Sequence, residues 1–440
     1  MSNGLERRDF LKVLGVSGAG AGLTACGTGG TEKLIPYVVP HEEIVPGIAT
    51  WYRTTCRECP AGCGMNVRTR EGRAVKAEGN PLSPISHGAL CARGQASLHG
   101  LYDPDRIPRP LARTGEGEWD RLTWDEAERR LASELQAHRG RTVFLTGSYG
   151  GTMDTLVDRF VASIGAERVR WEPFAWEPLR AASRMIYGVD AVPVHDFSNA
   201  EVVITFGADF METWLSPVDY AHGFIQGRAY SQGRRGKMIS VGAHQSLTDL
   251  NADEWLPARP GTEHLVALAI ARLMVDAGAS AGGAAGVLEG IDVGTVAERA
   301  GVSPERLRQV AADFARSGRS LAVGPGVQMQ HTAATAVAAA VAVLNQVAGN
   351  VGSTVRLEQR EEFATGGGSF AEMLELVGRM RRGEVGALLV HGPNPLYSMP
   401  EQESVAEALD AVQFIASFSP MLDETSRRAH VLLPDHHFLE

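Results

Sequence analysis

Along most of the chain, short runs of aliphatic and β-branched residues are punctuated by glycine loops and followed by amphipathic stretches, the pattern of strands alternating with helices. Residues 143–146 (Val-Phe-Leu-Thr) read as a fully buried strand, followed by Gly147-Ser148-Tyr149-Gly150-Gly151 and a helix from about Thr152. The unit recurs at 202–206 with Gly207-Ala208-Asp209, at 238–241, at 321–323 with Gly324-Pro325-Gly326, at 387–390 with Gly392-Pro393-Asn394-Pro395, and at 414–417. Helices are predicted over 262–277, 304–315, 332–347 and 401–409, and another to about 138 opens on the capping-box pair Thr123 and Glu126. Such alternation predicts doubly wound parallel sheets that take ligands at the carboxyl ends of their strands. Ahead of this body the period changes to two. Met65, Val67 and Thr69 alternate up to Glu71-Gly72, and 74–77 returns, so a hairpin is expected inside a small β element spanning 51–80. Leu101 to Arg106 closes that element, and residues 31–50, with Pro36, Pro40 and Pro46, read as an extended linker.

Residues 1–30 read as a targeting segment rather than as part of the fold. Arg7-Arg8-Asp9-Phe10-Leu11-Lys12 resembles a twin-arginine export signal, and the apolar stretch from Val13 to Leu23 is short and glycine-softened, as such signals are. Leu23-Thr24-Ala25-Cys26-Gly27 resembles a lipoprotein cleavage box, in which Cys26 becomes the acylated anchor; a chance cysteine among small residues is the alternative. Export by the twin-arginine route to the outer face of the cytoplasmic membrane, with a lipid anchor there, is the expected location.

The totals narrow the classes. A chain of 440 residues is long enough for two or three domains with sizeable cores. With 42 basic against 52 acidic residues the net charge is −10, which disfavours nucleic acid or an anionic membrane surface as a partner by bulk electrostatics. No apolar run reaches the roughly 18 to 20 residues of a membrane span.

The chemistry concentrates in four of the five cysteines. Cys56, Cys59, Cys63 and Cys91 form C-x2-C-x3-C followed, after 27 residues, by a fourth C. Four soft thiolates close either a zinc site or an iron-sulfur cluster. Structural zinc usually pairs two C-x2-C knuckles, which this spacing does not, and Pro60, Gly62 and Gly64 let the backbone turn its N–H groups towards sulfide, so a [4Fe-4S] cluster is expected and zinc remains the alternative. Arg93, two residues beyond Cys91, is a candidate for tuning the cluster or an ordinary solvated arginine. His436 and His437 are read as non-ligands, because neighbours on a strand point to opposite faces.

Cys56-Arg57-Glu58-Cys59-Pro60-Ala61-Gly62-Cys63, Gly79-Asn80-Pro81 and Gly88-Ala89-Leu90-Cys91-Ala92-Arg93-Gly94-Gln95 resemble the iron-sulfur domain of the molybdopterin oxidoreductases, and the order of the later loops extends the resemblance over 51–440. It implies a [4Fe-4S] domain over 51–107 and an α/β core over 108–440, with the family's closing β-barrel domain absent from this chain. In such proteins the loops at Gly147, Ser148, Gly207, Asp209, Gly261, Thr262, Gly324 and Asn394 would hold molybdopterin guanine dinucleotide with molybdenum. Three features depart from the family pattern: Arg170 to Pro178 offers no thiol to the metal and Ser183 lies within the following helix, Asp209 stands where an Asn is usual, and the chain stops at Glu440. Glu32-Lys33-Leu34-Ile35-Pro36-Tyr37, Gly207-Ala208-Asp209-Phe210 with Trp214-Leu215-Ser216-Pro217-Val218, and Gly392 to Tyr397 resemble the iron-sulfur subunit of alternative complex III, which keeps the fold without the pterin. That resemblance implies an electron-transfer subunit of a quinol-oxidising respiratory complex, with iron-sulfur, integral-membrane quinol-binding and cytochrome c subunits as partners. The alternatives are a catalytic enzyme of the polysulfide, thiosulfate or tetrathionate reductase type and a non-redox assembly scaffold.

Overall fold

The computed structural model describes residues 45–173, 176–230, 235–329, 331–358, 368–400 and 402–440. Arg7, Arg8, Cys26 and most of the 31–50 linker lie outside the described residues. The chain divides into two compact units, Met1–Thr50 with Arg70–Gly72, and Trp51–Thr69 with Arg73–Glu440. In the first, the Gly47 N–H donates to Glu71 Oε1 at 3.1 Å. The second holds Cys56, Cys59, Cys63 and Cys91 and both large sheets.

The predicted hairpin is present. Strands β1 (Thr50–Thr55), β2 (Gly64–Arg70) and β3 (Arg73–Gly79) form a three-stranded sheet in that order. Met65, Val67 and Ala77 are buried, and Glu71 and Gly72 both take positive φ, as a two-residue hairpin turn demands. Helix α1 (Ala92–Leu101) follows, with Cys91 as its N-cap. Only Gly94 and Ser97 of it are buried, so no apolar stripe announces it in the sequence.

The later strands are β4 (Leu111–Gly115), β5 (Glu118–Arg121), β6 (Thr142–Thr146), β7 (Glu167–Arg170), β8 (Val194–His195), β9 (Val202–Phe206), β10 (Lys237–Val241), β11 (Glu254–Leu256), β12 (Ser320–Val323), β13 (Val355–Arg356), β14 (Ala387–His391), β15 (Phe414–Ser417) and β16 (Val431–Leu432). They build a seven-stranded sheet, order β5-β4-β16-β15-β14-β6-β7, and a four-stranded sheet, order β11-β10-β9-β12, while β13 and β8 pair separately. The four-stranded sheet is wholly parallel, as expected. The larger one departs from expectation at its edge, where β4 and β5 form an antiparallel hairpin that adds to β16. A turn at Glu116-Gly117, with Gly117 at φ 75°, folds this segment back before the first crossover helix can form.

The helices used below are α2 (Trp124–Ala137), α3 (Gly151–Ile164), α4 (Glu177–Tyr187), α5 (Pro217–Arg228), α6 (Glu263–Asp276), α7 (Pro304–Arg316), α8 (Ala334–Val347) and α9 (Phe370–Arg381). The capping box of α2 forms as predicted, Thr123 Oγ1 accepting from the Glu126 N–H while the Thr123 N–H donates to Glu126 Oε2 at 2.8 Å. Both faces of the large sheet are covered. Val143, Leu145, Leu388, Val390 and Ile415 pack against Met373, Leu376 and Met380 of α9, while Phe144, Leu389 and Ala416 pack with Ala127 of α2 and Val157 and Val161 of α3. This two-sided burial explains why these strands read as unbroken apolar runs. Each such Leu, Phe or Ile contributes roughly 1.5 to 3 kcal/mol. Helix α5 was not predicted because Gly223 and Gly227 interrupt its pattern. A Cβ at Gly227 would lie 2.3 Å from the Phe197 carbonyl oxygen, so glycine is what allows the close approach there.

Candidate functional site

Two loops bring the cysteines together. Residues 56–63 close on themselves through the Cys56 N–H to Cys63 carbonyl bond at 2.8 Å, with Gly62 in the left-handed region at φ 64°. The second loop is pinned to the first: Ser86 Oγ donates to the Gly64 carbonyl at 2.7 Å, and the Gly64 N–H donates to Ser83 Oγ at 3.3 Å. Gly79 has to be bare, since a Cβ there would stand 2.2 Å from the Ala89 nitrogen. Cys56 and Cys63 are buried, Cys59 and Cys91 half-buried, and all four are free thiols in one apolar cluster with Ala61, Met65 and Leu90. Burial first, with the neighbouring cysteines adding to it, pushes the Cys56 thiol up to about 11 and that of Cys63 up to about 12. Cys59 is raised too, first by burial, with Arg93 opposing. The Cys56 and Cys63 thiols therefore hold their protons at neutral pH until a bound cation displaces them.

Among the described residues no three His, Cys, Asp or Glu side chains converge to hold one metal ion. Cys59 and Cys91 are nonetheless near enough to Cys56 and Cys63 to raise the pKa of both. A four-iron cluster, whose own sulfides fill the middle, spreads its ligands wider than a single zinc with bonds of about 2.3 Å. The donor set, four thiols from two loops in one apolar cluster, therefore fits the cluster. Arg93 is exposed on the first turn of α1; burial raises the Glu58 carboxyl as it raises the Cys59 thiol, and the Arg93 charge opposes both shifts. His436 and His437 are not on a strand, since β16 ends at Leu432; the expected reason for setting them aside is thus corrected. His436 Nδ1 meets Glu440 Oε2 at 3.0 Å, and the His437 ring lies under Gly100.

The strand-end loops sort into two groups. Gly147 and Ser148, after β6, stand beside the loop after β14 that carries Asn394, with the Gly147 N–H donating to the His391 carbonyl at 3.2 Å. Gly207 and Asp209, after β9, stand beside Gly324, after β12: a Cβ at Gly326 would lie 2.6 Å from the Gly207 carbonyl. Gly261 and Thr262 lie apart on the edge strand side, leading into α6, and Gly261 faces open space at φ 81°. Asn394 is engaged by the chain itself, donating to Glu424 Oε2 and accepting from Thr425 Oγ1, both at 2.7 Å. In the 170–178 stretch Trp171 is buried and donates to Ser398 Oγ at 3.0 Å, while Phe174 and Ala175 lie outside the described residues. Ser183 is buried inside α4, as expected.

Comparison with known proteins accounts for this arrangement. Residues 49–103 match the family model of the molybdopterin oxidoreductase Fe4S4 domain, and residues 106–440 match that of molybdopterin oxidoreductase. The chain belongs to the molybdopterin oxidoreductase family. It is 27% identical to the molybdopterin-binding-like subunit of a menaquinone reductase from Nitratidesulfovibrio vulgaris over 98% of this chain and 65% of that protein. It is also 27% identical to the molybdopterin-containing subunit of the arsenate respiratory reductase of a Shewanella species, over 61% of this chain and 33% of that one, and 26% identical to the corresponding thiosulfate reductase subunit of Salmonella typhimurium, over 62% and 35%. The chain thus spans less than two thirds of the length of these relatives. Acetylene hydratase from Pelobacter acetylenicus shares the fold, with a TM-score of 0.71 at 16% identity over 88% of this chain and 63% of that one.

The two family models support a [4Fe-4S] cluster and a molybdopterin cofactor, and the two groups of strand-end loops differ in the ligand they fit. At the first, the Ser148 Oγ is buried without a hydrogen-bond partner, and the guanidinium groups of Arg57 and Arg168 each lie 5.7 Å from the Tyr149 ring, so an anionic group has donors and cations to meet. At the second, Met329 fills the space over Gly207 and reaches Gly242, at 2.9 Å and 3.7 Å from the positions a Cβ would take. Asp209 is buried there, bonded by the neutral Gln328 and Ser246, and burial raises its pKa with Asp249 and Glu212 adding to the effect. Gln328 also donates to Asp249 Oδ2 at 2.9 Å. A pyrophosphate would meet carboxylates at this group, so these residues do not fit one. The sequence reading missed Tyr149, His391 and Asp435, which meet at the first group; Tyr149 lay within a glycine-rich run read as turn chemistry.

Proposed function

We propose that the chain is the iron-sulfur electron-transfer subunit of a membrane-associated respiratory oxidoreductase, exchanging electrons with a quinone pool in the quinol-oxidising sense. The observation that carries the reading is the gathering of Cys56, Cys59, Cys63 and Cys91, two buried and two half-buried, with Tyr149 next to their loop, while Met329 fills the space over Gly207. When bound, the cluster supplies one-electron acceptance and donation. The chain's own residues hold it in a dry pocket and set its field: the thiols ligate, Arg93 favours the more negative, reduced state, and the two serine-pinned loops keep the four ligands in register. The relative whose name carries menaquinone supports a quinone as the redox partner. Export by Arg7-Arg8, anchoring through Cys26 and docking to integral-membrane, iron-sulfur and cytochrome subunits complete the proposal. Among the described residues no helix is long and apolar enough to cross a membrane, which is compatible with an anchor or a partner making that contact.

A catalytic molybdopterin enzyme is the second reading, supported by the family match over 106–440 and by the cationic character of the first loop group. Metal analysis of protein purified from membranes without oxygen, with a low-temperature EPR spectrum after dithionite reduction, separates the readings. About four irons per chain, a reduced-cluster signal and no molybdenum support the electron-transfer subunit. Stoichiometric molybdenum overturns it in favour of catalysis. Zinc, or no metal, leaves only an assembly scaffold.

A further inference from the structure

Three side chains from separate strand ends meet next to the cysteine loop. Tyr149 follows β6, His391 ends β14 and Asp435 follows β16. Tyr149 Oη is hydrogen-bonded both to His391 Nδ1 and, at 2.6 Å, to the His391 carbonyl, and His391 Nε2 meets Asp435 Oδ2 at 2.9 Å. The Tyr149 ring covers Gly147 and Gly392, where added Cβ atoms would come within 3.5 Å of the ring and 3.1 Å of the hydroxyl. The His391 side chain is 13% exposed and that of Asp435 36%, so Asp435 is the end open to water. At the other end the guanidinium of Arg57, which lies between Cys56 and Cys59 in the chain, sits over the Tyr149 ring.

Counting donors gives this chain two settings. Asp435 is held below the usual carboxylate range by His391 and Arg57 against its burial, so it accepts and Nε2 must carry a proton. If Tyr149 donates to Nδ1, His391 is neutral. If Tyr149 turns its hydroxyl to the His391 carbonyl, Nδ1 must donate to Oη, and His391 is then a cation with every donor satisfied. Rotation of one hydroxyl therefore makes room for one proton. The charged groups facing it are Asp435, Arg57 and Arg168, with Arg168 also paired to Asp154 at 2.7 Å and to Asp158 at 2.6 Å. The two arginines oppose a third positive charge, and an added negative charge beside Arg57 offsets that opposition.

We infer that Tyr149, His391 and Asp435 form a proton site coupled to the cluster, in which His391 Nδ1 takes up one proton from water, the Tyr149 hydroxyl turning to the His391 carbonyl, when one electron enters the cluster. The inference rests on the cluster reading above. The electron comes from quinol in the working complex and from dithionite in the test; the only bond made is N–H at His391, and the only one broken is in the hydronium or water that supplies the proton.

The test is an EPR-monitored redox titration of the anaerobically purified chain, holding its cluster, at a series of pH values from about 6 to 9. The midpoint potential is expected to fall as pH rises, with a limiting slope of about 59 mV per pH unit, the tenfold change in proton activity converted for a one-electron couple. His391→Gln abolishes the slope. Asp435→Asn, which keeps the shape but removes the anion, moves the sloping region to lower pH, and Tyr149→Phe diminishes the slope while leaving the signal. A cluster signal with a pH-independent potential in the parent protein overturns the proton site alone, as does a slope that survives in His391→Gln. Absence of any cluster signal overturns the cluster reading and this inference with it.

Discussion

Trp214 offers the sharpest test of how the second loop group is sealed. Its side chain is fully buried, its Nε1 donates to the Pro325 carbonyl at 2.9 Å, and its ring lies 4.9 Å from that of His195 and 5.6 Å from that of Tyr220. The indole thereby ties the loop after β9 to the loop after β12. In Trp214→Phe the carbonyl loses this donor inside the protein, a cost of about 1 to 3 kcal/mol. The smaller ring leaves unfilled space worth about 1 kcal/mol more. The sum, roughly 2 to 4 kcal/mol, is large against the stability of a domain. Urea unfolding of the cluster-bearing chain, followed by far-UV circular dichroism, reads it as a lower midpoint at unchanged slope. Trp124→Phe is the control: Trp124 is 47% exposed at the start of α2, and its replacement is expected to stay within about 0.5 kcal/mol of the parent. A Trp214→Phe variant no less stable than that control would refute the idea that this bond seals the loops.

Asp209→Asn is expected to stabilise the protein at neutral pH. Burial raises the Asp209 pKa, so the folded state holds its proton more firmly than the unfolded one, and stability is lost as pH rises through the folded value; the gain in the variant should vanish near pH 3.5, about where both states of the parent keep the proton. His430 behaves in the opposite way. Burial first, then Arg113 and Arg130, lower its pKa, and its Nδ1 accepts from the Ile415 N–H at 2.9 Å, so stability falls as pH drops below the unfolded value of 6.5, and His430→Gln should flatten that part of a stability-pH profile. Gly326→Ala should cost about 1 to 3 kcal/mol by thermal denaturation, because its Cβ meets the Gly207 carbonyl, whereas Gly286→Ala, with open space around it in a helix, should be neutral or stabilising by up to about 1 kcal/mol. An equal effect for both glycines would count against the close approach of the two loops.

Local chemistry wrote much of the molecule into the sequence. The β2–β3 hairpin follows from alternation and a Glu-Gly turn, the α2 start from a capping box, and the strands β6, β9, β12, β14 and β15 from apolar runs that only two-sided burial tolerates. The four cysteines were legible too, because ligand spacing is fixed along a short loop. Other features depended on contacts between residues far apart in the chain. Helix α1 has no apolar stripe, and α5 is broken by glycines that serve the neighbouring Phe197 to Ala200 segment. The antiparallel hairpin of β4 and β5 depends on β16, more than three hundred residues later in the sequence. Likewise Tyr149, His391 and Asp435 carry no motif; sheet order alone sets the ends of β6, β14 and β16 close together, and Arg57 joins them only because the cysteine loop docks there. Met329 closing over Gly207 is of the same kind. The sequence by itself determined the strands buried on both faces, the helices with their own caps or apolar stripes, and which residues bring thiols together, since these depend on neighbours a few positions away. Which side chains fill the strand-end loops was decided only by tertiary structure, because hydrogen bonds and excluded volume act on distance in space and not on separation along the chain.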